Sequence, residues 1–114
     1  NHNDFLKTAD QTAYLLESVD SKWFGLHLDI GSFSVHDPYE EIGKVVPYAI
    51  NWQIKEQVWM KGTQVPTDLE KVFGIARSAG YRGYLPLETL GSDAVDRLPA
   101  FHEAARRALM MVKG

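Results

Sequence analysis

The chain has 114 residues, enough for one domain with a hydrophobic core, and 45% of them are hydrophobic. The formal net charge is -3 and no cluster of Lys and Arg occurs, which argues against a nucleic-acid partner. No apolar run approaches membrane-spanning length, so no membrane partner is expected, and the absence of Cys excludes disulfides, thiolate metal ligands and a cysteine nucleophile.

The predicted elements begin with a helix at Thr8, which has capping-box spacing with Gln11. A strand follows in the segment WFGLHLDIGSF (23–33), where apolar and polar residues alternate up to Asp29 and a glycine turn comes next. The second helix begins at Asp37, with a proline at its first position. A strand that ends on a carboxylate commonly delivers that side chain to a site, so Asp29 is the first candidate.

The second predicted strand is Ala49–Lys55, which again has alternating apolar and polar residues. The stretch Glu56–Pro66 is expected to be an irregular loop on the C-terminal rim of the sheet. Trp59 in this loop is a candidate to cover a ligand, and a packed surface loop is the alternative interpretation. The third helix is predicted to begin at Thr67 and to end at a glycine.

The third predicted strand is Arg82–Glu88. Pro86 within it has no N–H to donate to a neighbouring strand, so it is better accommodated at a bulge or beside an unpaired neighbour. The last helix covers residues 92–113, and Pro99 is expected to divide it into a short turn and a longer helix. Strands that alternate with helices in this way indicate an α/β fold with parallel strands joined by right-handed crossovers.

All three strands have one apolar face and one face that is polar towards the C-terminal end. The apolar sets are Phe24, Leu26 and Leu28; Ile50, Trp52 and Ile54; and Leu85 and Leu87. The polar sets end in His27 and Asp29, in Gln53 and Lys55, and in Glu88. In an open doubly wound sheet helices cover both faces, so the strand sequences are continuous apolar runs. The pattern therefore favours a (β/α)8 barrel, whose active site lies at the C-terminal mouth.

The chain is too short to close such a barrel, which takes about 250 residues. The expected fold is a partial (β/α)8 TIM barrel with about three parallel strands and four helices. Alone, this sheet exposes two edge strands and an open polar interior. We therefore expect self-association or pairing with the missing N-terminal half.

Several short motifs occur together in a fixed order along the chain. They are Asn1-His2, residues 24–31 (FGLHLDIG), Asp37-Pro38, residues 47–55 (PYAINWQIK), residues 80–83 (GYRG) and residues 85–88 (LPLE). In these motifs the chain resembles the sugar phosphate isomerase/epimerase family, the xylose-isomerase-like TIM barrels. The resemblance implies that residues 1–114 are one incomplete domain, the C-terminal half of that barrel.

The resemblance also implies one divalent metal ion, bound by Glu, Asp, His or Gln, and Glu from four successive strands. Asp29, Gln53 and Glu88 match the last three ligands, and the first Glu would stand immediately before Asn1. Ser32 replaces a His of several relatives, and many relatives have His at the position of Gln53. The resulting oxygen-rich site favours Mn2+ or Mg2+, with Zn2+ or Co2+ as alternatives.

The implied activity is isomerisation or epimerisation of a sugar or sugar phosphate by proton transfer through a metal-stabilised enediolate. Glu88 would be a catalytic carboxylate as well as a ligand, sharing the proton transfer with the missing Glu. Residues expected to contact the small-molecule substrate or support the site are His2, His27, Lys55 and Trp59.

Other interpretations remain open for these residues and for the chain. Asp29 is also suited to capping the turn at Gly31, Glu88 to facing solvent at a strand end, and Gln53 to bonding with neighbours without a metal. The chain could be a non-catalytic half-barrel or an associating fragment with an incomplete site. An endonuclease IV-like metal-dependent phosphodiesterase is disfavoured, because Ser32 stands where that chemistry would use a His and no basic stripe is present.

Overall fold

The computed structural model of the protein describes residues 5–112, so the expectation for His2 lies outside the described residues. The helices are α1 (Ala9–Ser18), α2 (Pro38–Val45), α3 (Leu69–Ser78) and α4 (Ala94–Met111). The strands are β1 (Leu26–Asp29), β2 (Ala49–Lys55), β3 (Gln57–Met60), β4 (Thr63–Pro66) and β5 (Leu87–Glu88). None of the helices between residues 5 and 112 is both long enough and apolar enough to cross a membrane.

The main sheet consists of β1, β2 and β5, with β2 in the centre and both neighbours parallel to it. Its three parallel strands and the four helices confirm the predicted α/β class and the partial (β/α)8-barrel-like architecture. The buried face of the sheet carries Leu28, Trp52 and Ile54, which pack with residues of the helices in one core.

Helix starts follow the capping signals of the sequence. Thr8 and Gln11 form the predicted capping box, and Asp37 caps α2 through the N–H groups of Tyr39 and Glu40. The third helix departs from the prediction by one residue, because Asp68 and not Thr67 is its N-cap. The Thr67 hydroxyl instead donates to the backbone carbonyl of Lys55, at 2.7 Å.

The stretch Glu56–Pro66 is not the irregular loop that was predicted. It forms an antiparallel hairpin of β3 and β4, closed by a two-residue turn at Lys61 and Gly62. Both turn residues have positive φ, 49° and 84°, as tight hairpin turns require. Glycine adopts a positive φ at little energetic cost. Val58 is fully buried and anchors the hairpin on the core.

Pro86 meets its expectation of an unpaired neighbour, because β5 is an edge strand of the described sheet, whereas the prediction for Pro99 is wrong. Pro86 lies just before β5, which is only two residues long, and its carbonyl accepts a hydrogen bond from the N–H of Ile54 at 2.8 Å. Pro99 does not divide the last helix, since α4 is continuous through it. The cost is one lost backbone bond, to the carbonyl of the exposed Val95, which solvent can satisfy.

The predicted apolar face of β2 is correct for Trp52 and Ile54, which are fully buried, but wrong for Ile50, which is 71% exposed. The strand register is irregular between Leu26 and His27, next to this position. Gly25 lies directly against Ile50, because a Cβ on it would be only 2.9 Å from the Ile50 Cγ2 atom. The local irregularity therefore turns Ile50 away from the core.

Glu41 is a buried carboxylate that joins two helices. It is 2% exposed, accepts a hydrogen bond from the N–H of Ala9 in the first turn of α1, and pairs with Lys44 at 3.1 Å. The first N–H groups of a helix have no partner within the helix and favour negative charge nearby. Glu41 therefore fixes the start of α1 against α2.

Replacing Glu41 by Gln is expected to lower the free energy of unfolding by about 1–3 kcal/mol, because it removes the charge from a buried hydrogen bond. Urea unfolding measures this change. The matched control is Glu40→Gln at the exposed neighbouring position, for which we expect a change within about 0.5 kcal/mol. Equal losses in the two variants would contradict the structural role of Glu41.

Candidate active site

The three predicted ligands meet at the carboxyl edge of the parallel sheet. Asp29 ends β1 and is in register with Gln53 on β2. Glu88 ends β5 and is in register with Lys55, the last residue of β2. Because Gln53 and Lys55 are two residues apart, they lie on the same face of the central strand. The sheet thus places an amide and two carboxylates around Lys55.

Lys55 links the two carboxylates. Its ammonium nitrogen Nζ lies 3.5 Å from Asp29 Oδ2 and in direct contact with Glu88 Oε2. The side chains of Lys55 and Asp29 are only 9% and 11% exposed, and that of Glu88 is 29% exposed. Lys55, predicted as a substrate contact, is therefore held in a largely buried ion-pair network whose charges strengthen one another away from water.

Asp29 has two separate functions in the structure. Its Oδ1 atom accepts a hydrogen bond from the N–H of Gly31 at 2.9 Å and caps the short 3-10 turn Ile30–Ser32. Its Oδ2 atom faces Lys55. The turn-capping alternative is therefore realised by one oxygen, while the other oxygen remains part of the site.

His27 and Asn51 hold the Gln53 side chain in place. Gln53 Oε1 lies 2.9 Å from His27 Nε2, and Asn51 Nδ2 lies 3.3 Å from His27 Nδ1. An amide nitrogen only donates and an amide oxygen only accepts, so both ring nitrogens of His27 have a suitable amide partner. His27 thereby orients Gln53 from the side of the site.

The donor chemistry of the site fits a hard divalent cation. Two carboxylates and one amide carbonyl are the oxygen ligands that Mg2+ and Mn2+ prefer. The space between Asp29 and Glu88 already accommodates a cationic group, the Lys55 ammonium. Within residues 5–112 no cluster of three or more His, Cys, Asp or Glu suited to a metal occurs, and Gln53 would have to be the third ligand. The ligand set remains a prediction.

Two surface depressions, each of about 330 Å³, lie on either side of the Lys55 network. One is lined by His27, Asp29 and Gln53 among others, and the second by Lys55, Glu88 and Arg97 among others. Their volume is at the lower end of the range for small-molecule sites. Trp59 is half-buried on β3 and lines neither of them, so its contact with a substrate remains a prediction.

Sequence reasoning missed Arg97 and Glu56 at the edge of the second depression. Arg97 forms a bidentate pair with Glu56, at 3.2 Å from Nε and 3.1 Å from Nη2, and also contacts Asp93 and the carbonyl of Leu90. The spacing of Asp93 and Arg97 on one helix turn is readable in the sequence. The pair with Glu56 is not, because 41 residues separate the partners.

Arg97 lowers the pKa of the Asp93 carboxyl by donating a hydrogen bond to it, and Glu56 and Asp93 together raise the pKa of Arg97. The pKa of Asp93 is lower in the folded than in the unfolded protein. The ionised Asp93 therefore stabilises the folded state at pH values above the ordinary aspartate pKa. That stabilisation is lost as the pH falls through the lowered value.

Arg97→Gln is expected to raise the pKa of Asp93 towards its ordinary value and to remove this pH dependence. Carboxyl ¹³C shifts followed during acid titration measure the change. Glu103 is the internal control, because a hydrogen bond from Arg106 lowers its pKa and Arg97 is not among the causes. A parallel rise at both carboxyls would indicate a general loss of structure instead.

Comparison with solved structures identifies a protein with a similar fold. The chain is similar to the crystal structure of a xylose isomerase domain protein from Planctomyces limnophilus, with a TM-score of 0.77 and 19% sequence identity. The match covers 99% of this chain and 44% of that one, so the chain spans less than half the length of that protein. No protein-family model matches the chain, and no curated protein matches it. The likeness shows a xylose-isomerase-like fold.

Proposed function

We propose that the complete protein is a divalent-metal-dependent isomerase or epimerase of a sugar or sugar phosphate, and that this chain supplies the C-terminal half of its barrel. The observation that carries the proposal is the meeting of Asp29, Gln53 and Glu88 at the carboxyl edge of three adjacent strands. The likeness to the xylose isomerase domain protein supports it at the level of the fold.

In this proposal Asp29, Gln53 and Glu88 would hold the metal, and the hydrogen bond from His27 leaves the second lone pair of the Gln53 oxygen for it. A bound metal would stabilise the negative charge that develops on the substrate oxygens. Glu88 is one of two carboxylates that share the proton transfer at the carbon beside the substrate carbonyl, and the second carboxylate comes from the other half of the barrel. The two depressions beside Lys55 provide space for a small polar substrate.

The decisive experiment is proton exchange in the complete protein. Aldoses, ketoses and their phosphates are incubated in D₂O, and loss of the exchangeable C–H signal is followed by NMR. We expect exchange with at least one sugar, its loss after metal chelation and its return with Mn2+ or Mg2+. Exchange that survives chelation, or no exchange with any sugar in the metal-loaded protein, contradicts the proposal.

The ligand set has a separate test in Mn2+ titrations of Asp29→Asn and Glu88→Gln. Weaker binding in both variants is the expected result, because each substitution removes a negative oxygen donor. Undiminished binding in both would show that the metal, if bound, lies elsewhere.

A second candidate is an associating half-barrel without its own catalysis, and the open sheet favours it. Both β1 and β5 are edge strands within the described sheet, and Tyr84 beside β5 is 88% exposed. In this case the chain pairs with the missing half or with a second copy. Light scattering after size exclusion tests this candidate: a well-behaved monomer of this chain argues against association.

A further inference from the structure

We propose that Lys55 is a built-in counter-ion of the site, and that a divalent cation binds between Asp29 and Glu88 only by displacing the Lys55 ammonium. The inference rests on the proposed metal site and adds to it a competition that is internal to the chain. It predicts that removing the lysine strengthens metal binding, which is the opposite of what a substrate-binding or supporting residue would do.

The first observation is the burial of a charge. Lys55 is the buried basic residue of the part of the chain that the structure describes, with 8% of its surface exposed. A lysine is seldom buried without a partner, since removing its charge from water is costly. Here both Asp29 and Glu88 supply the compensation. Among the described residues, Lys55 thus places one positive charge between two negative groups.

The second observation is that the fold makes room for the lysine. Lys55 stands on the central strand, between the strands that end in the two carboxylates. Its aliphatic part runs past Gly31, where an added Cβ would lie 3.2 Å from the Lys55 Cγ and 3.6 Å from the Cε. The turn after β1 therefore leaves a passage for this side chain, which delivers the ammonium to both carboxylates.

The Lys55 ammonium and a metal ion exclude one another from the space between the two carboxylates. Carboxylate oxygens bind Mg2+ or Mn2+ at about 2.0–2.3 Å. The ammonium already contacts Glu88 and lies 3.5 Å from Asp29, so a metal held by the same two oxygens would meet it at repulsive distance. Lys55 also lines the second depression, beside Glu56 and Gln64. This space gives the displaced side chain an exit next to polar groups.

The test is Mn2+ binding to the complete protein, measured from the EPR signal of free Mn2+. Lys55→Met is expected to bind Mn2+ about tenfold more tightly or better than the unmodified protein, because the competing charge is gone. Lys55→Arg keeps the charge and should show no such gain. Lys71→Met, an exposed lysine paired with Asp68, is the matched control and should leave the affinity unchanged.

Equal or weaker Mn2+ binding by Lys55→Met overturns the inference and leaves the proposed metal site in place. Absence of Mn2+ binding in every variant, including the unmodified protein, overturns the metal site and the inference together. These two outcomes therefore separate the failure of the competition from the failure of the proposed function.

A second measurement covers the case in which Lys55→Met does not fold. In unmodified protein with ¹⁵N-labelled lysine, the Lys55 ammonium should give a signal protected from solvent that disappears in step with Mg2+ binding. A protected signal that persists at Mg2+ saturation overturns the inference. The double variant Lys55→Met/Glu88→Gln, which removes both charges of the Lys55–Glu88 ion pair, is the control for folding.

Discussion

Glu88→Gln is expected to lower the turnover of the complete protein by about 100- to 10,000-fold, the usual contribution of a general acid–base residue. The substitution keeps the size of the side chain but removes its ability to accept a proton. It also removes one negative oxygen donor from the proposed metal site and one partner from Lys55.

The comparison with Asp29→Asn separates these effects. Asp29 is a proposed ligand without a part in proton transfer, and its capping bond to Gly31 can be kept by the asparagine oxygen. Excess Mn2+ should therefore restore much of the turnover of Asp29→Asn but little of that of Glu88→Gln. Rates measured against Mn2+ concentration test this, with the exposed Glu70→Gln as control. Full restoration of Glu88→Gln by metal would show that Glu88 moves no proton.

Much of this site could be predicted from the alternation of residues along the strands. In parallel strands the carboxyl ends lie at one edge of a sheet, so the positions of Asp29, Gln53 and Glu88 at the strand ends predict that they approach one another. The structure confirms that they share this edge. The burial of Trp52 and Ile54 follows from the same alternation.

What the sequence could not predict depends on register and tertiary packing. Lys55 could be placed at a strand end, but its pairing with Glu88 follows from the register of β2 with β5, which no local pattern determines. Glu40 and Glu41 are adjacent carboxylates in α2, and only the packing of α1 makes one of them buried. The exposed position of Ile50 likewise depends on the irregularity opposite Gly25.

The hairpin shows a different limit. A Lys-Gly pair between two short strands is a weaker turn signal than Asn-Gly or Asp-Gly. The sequence of residues 56–66 therefore predicts a loop and not a hairpin. Between β2 and the hairpin, the Glu56 side chain binds Arg97 of α4 and so ties the end of β2 to that helix.

The stability of the site should depend most on Trp52, which lies directly between the site-facing residues Asn51 and Gln53 on β2 but points into the core. It is fully buried, in register with Leu28, and its ring centroid is 5.7 Å from that of Tyr81. Trp52→Ala is expected to lower the free energy of unfolding by about 3–5 kcal/mol, because it leaves a large cavity under the central strand.

Two further variants isolate the cause of this loss. Trp23→Ala removes the same side chain at a position that is 88% exposed, and its cost should stay within about 0.5 kcal/mol. Trp52→Phe keeps most of the ring packing and removes an indole N–H that has no hydrogen-bond partner within the described residues, so its cost should fall well below that of alanine. Urea unfolding followed by far-UV circular dichroism measures all three. If Trp52→Ala cost no more than Trp23→Ala, the core under β2 would not be what holds Gln53 and Lys55 in register with their partners.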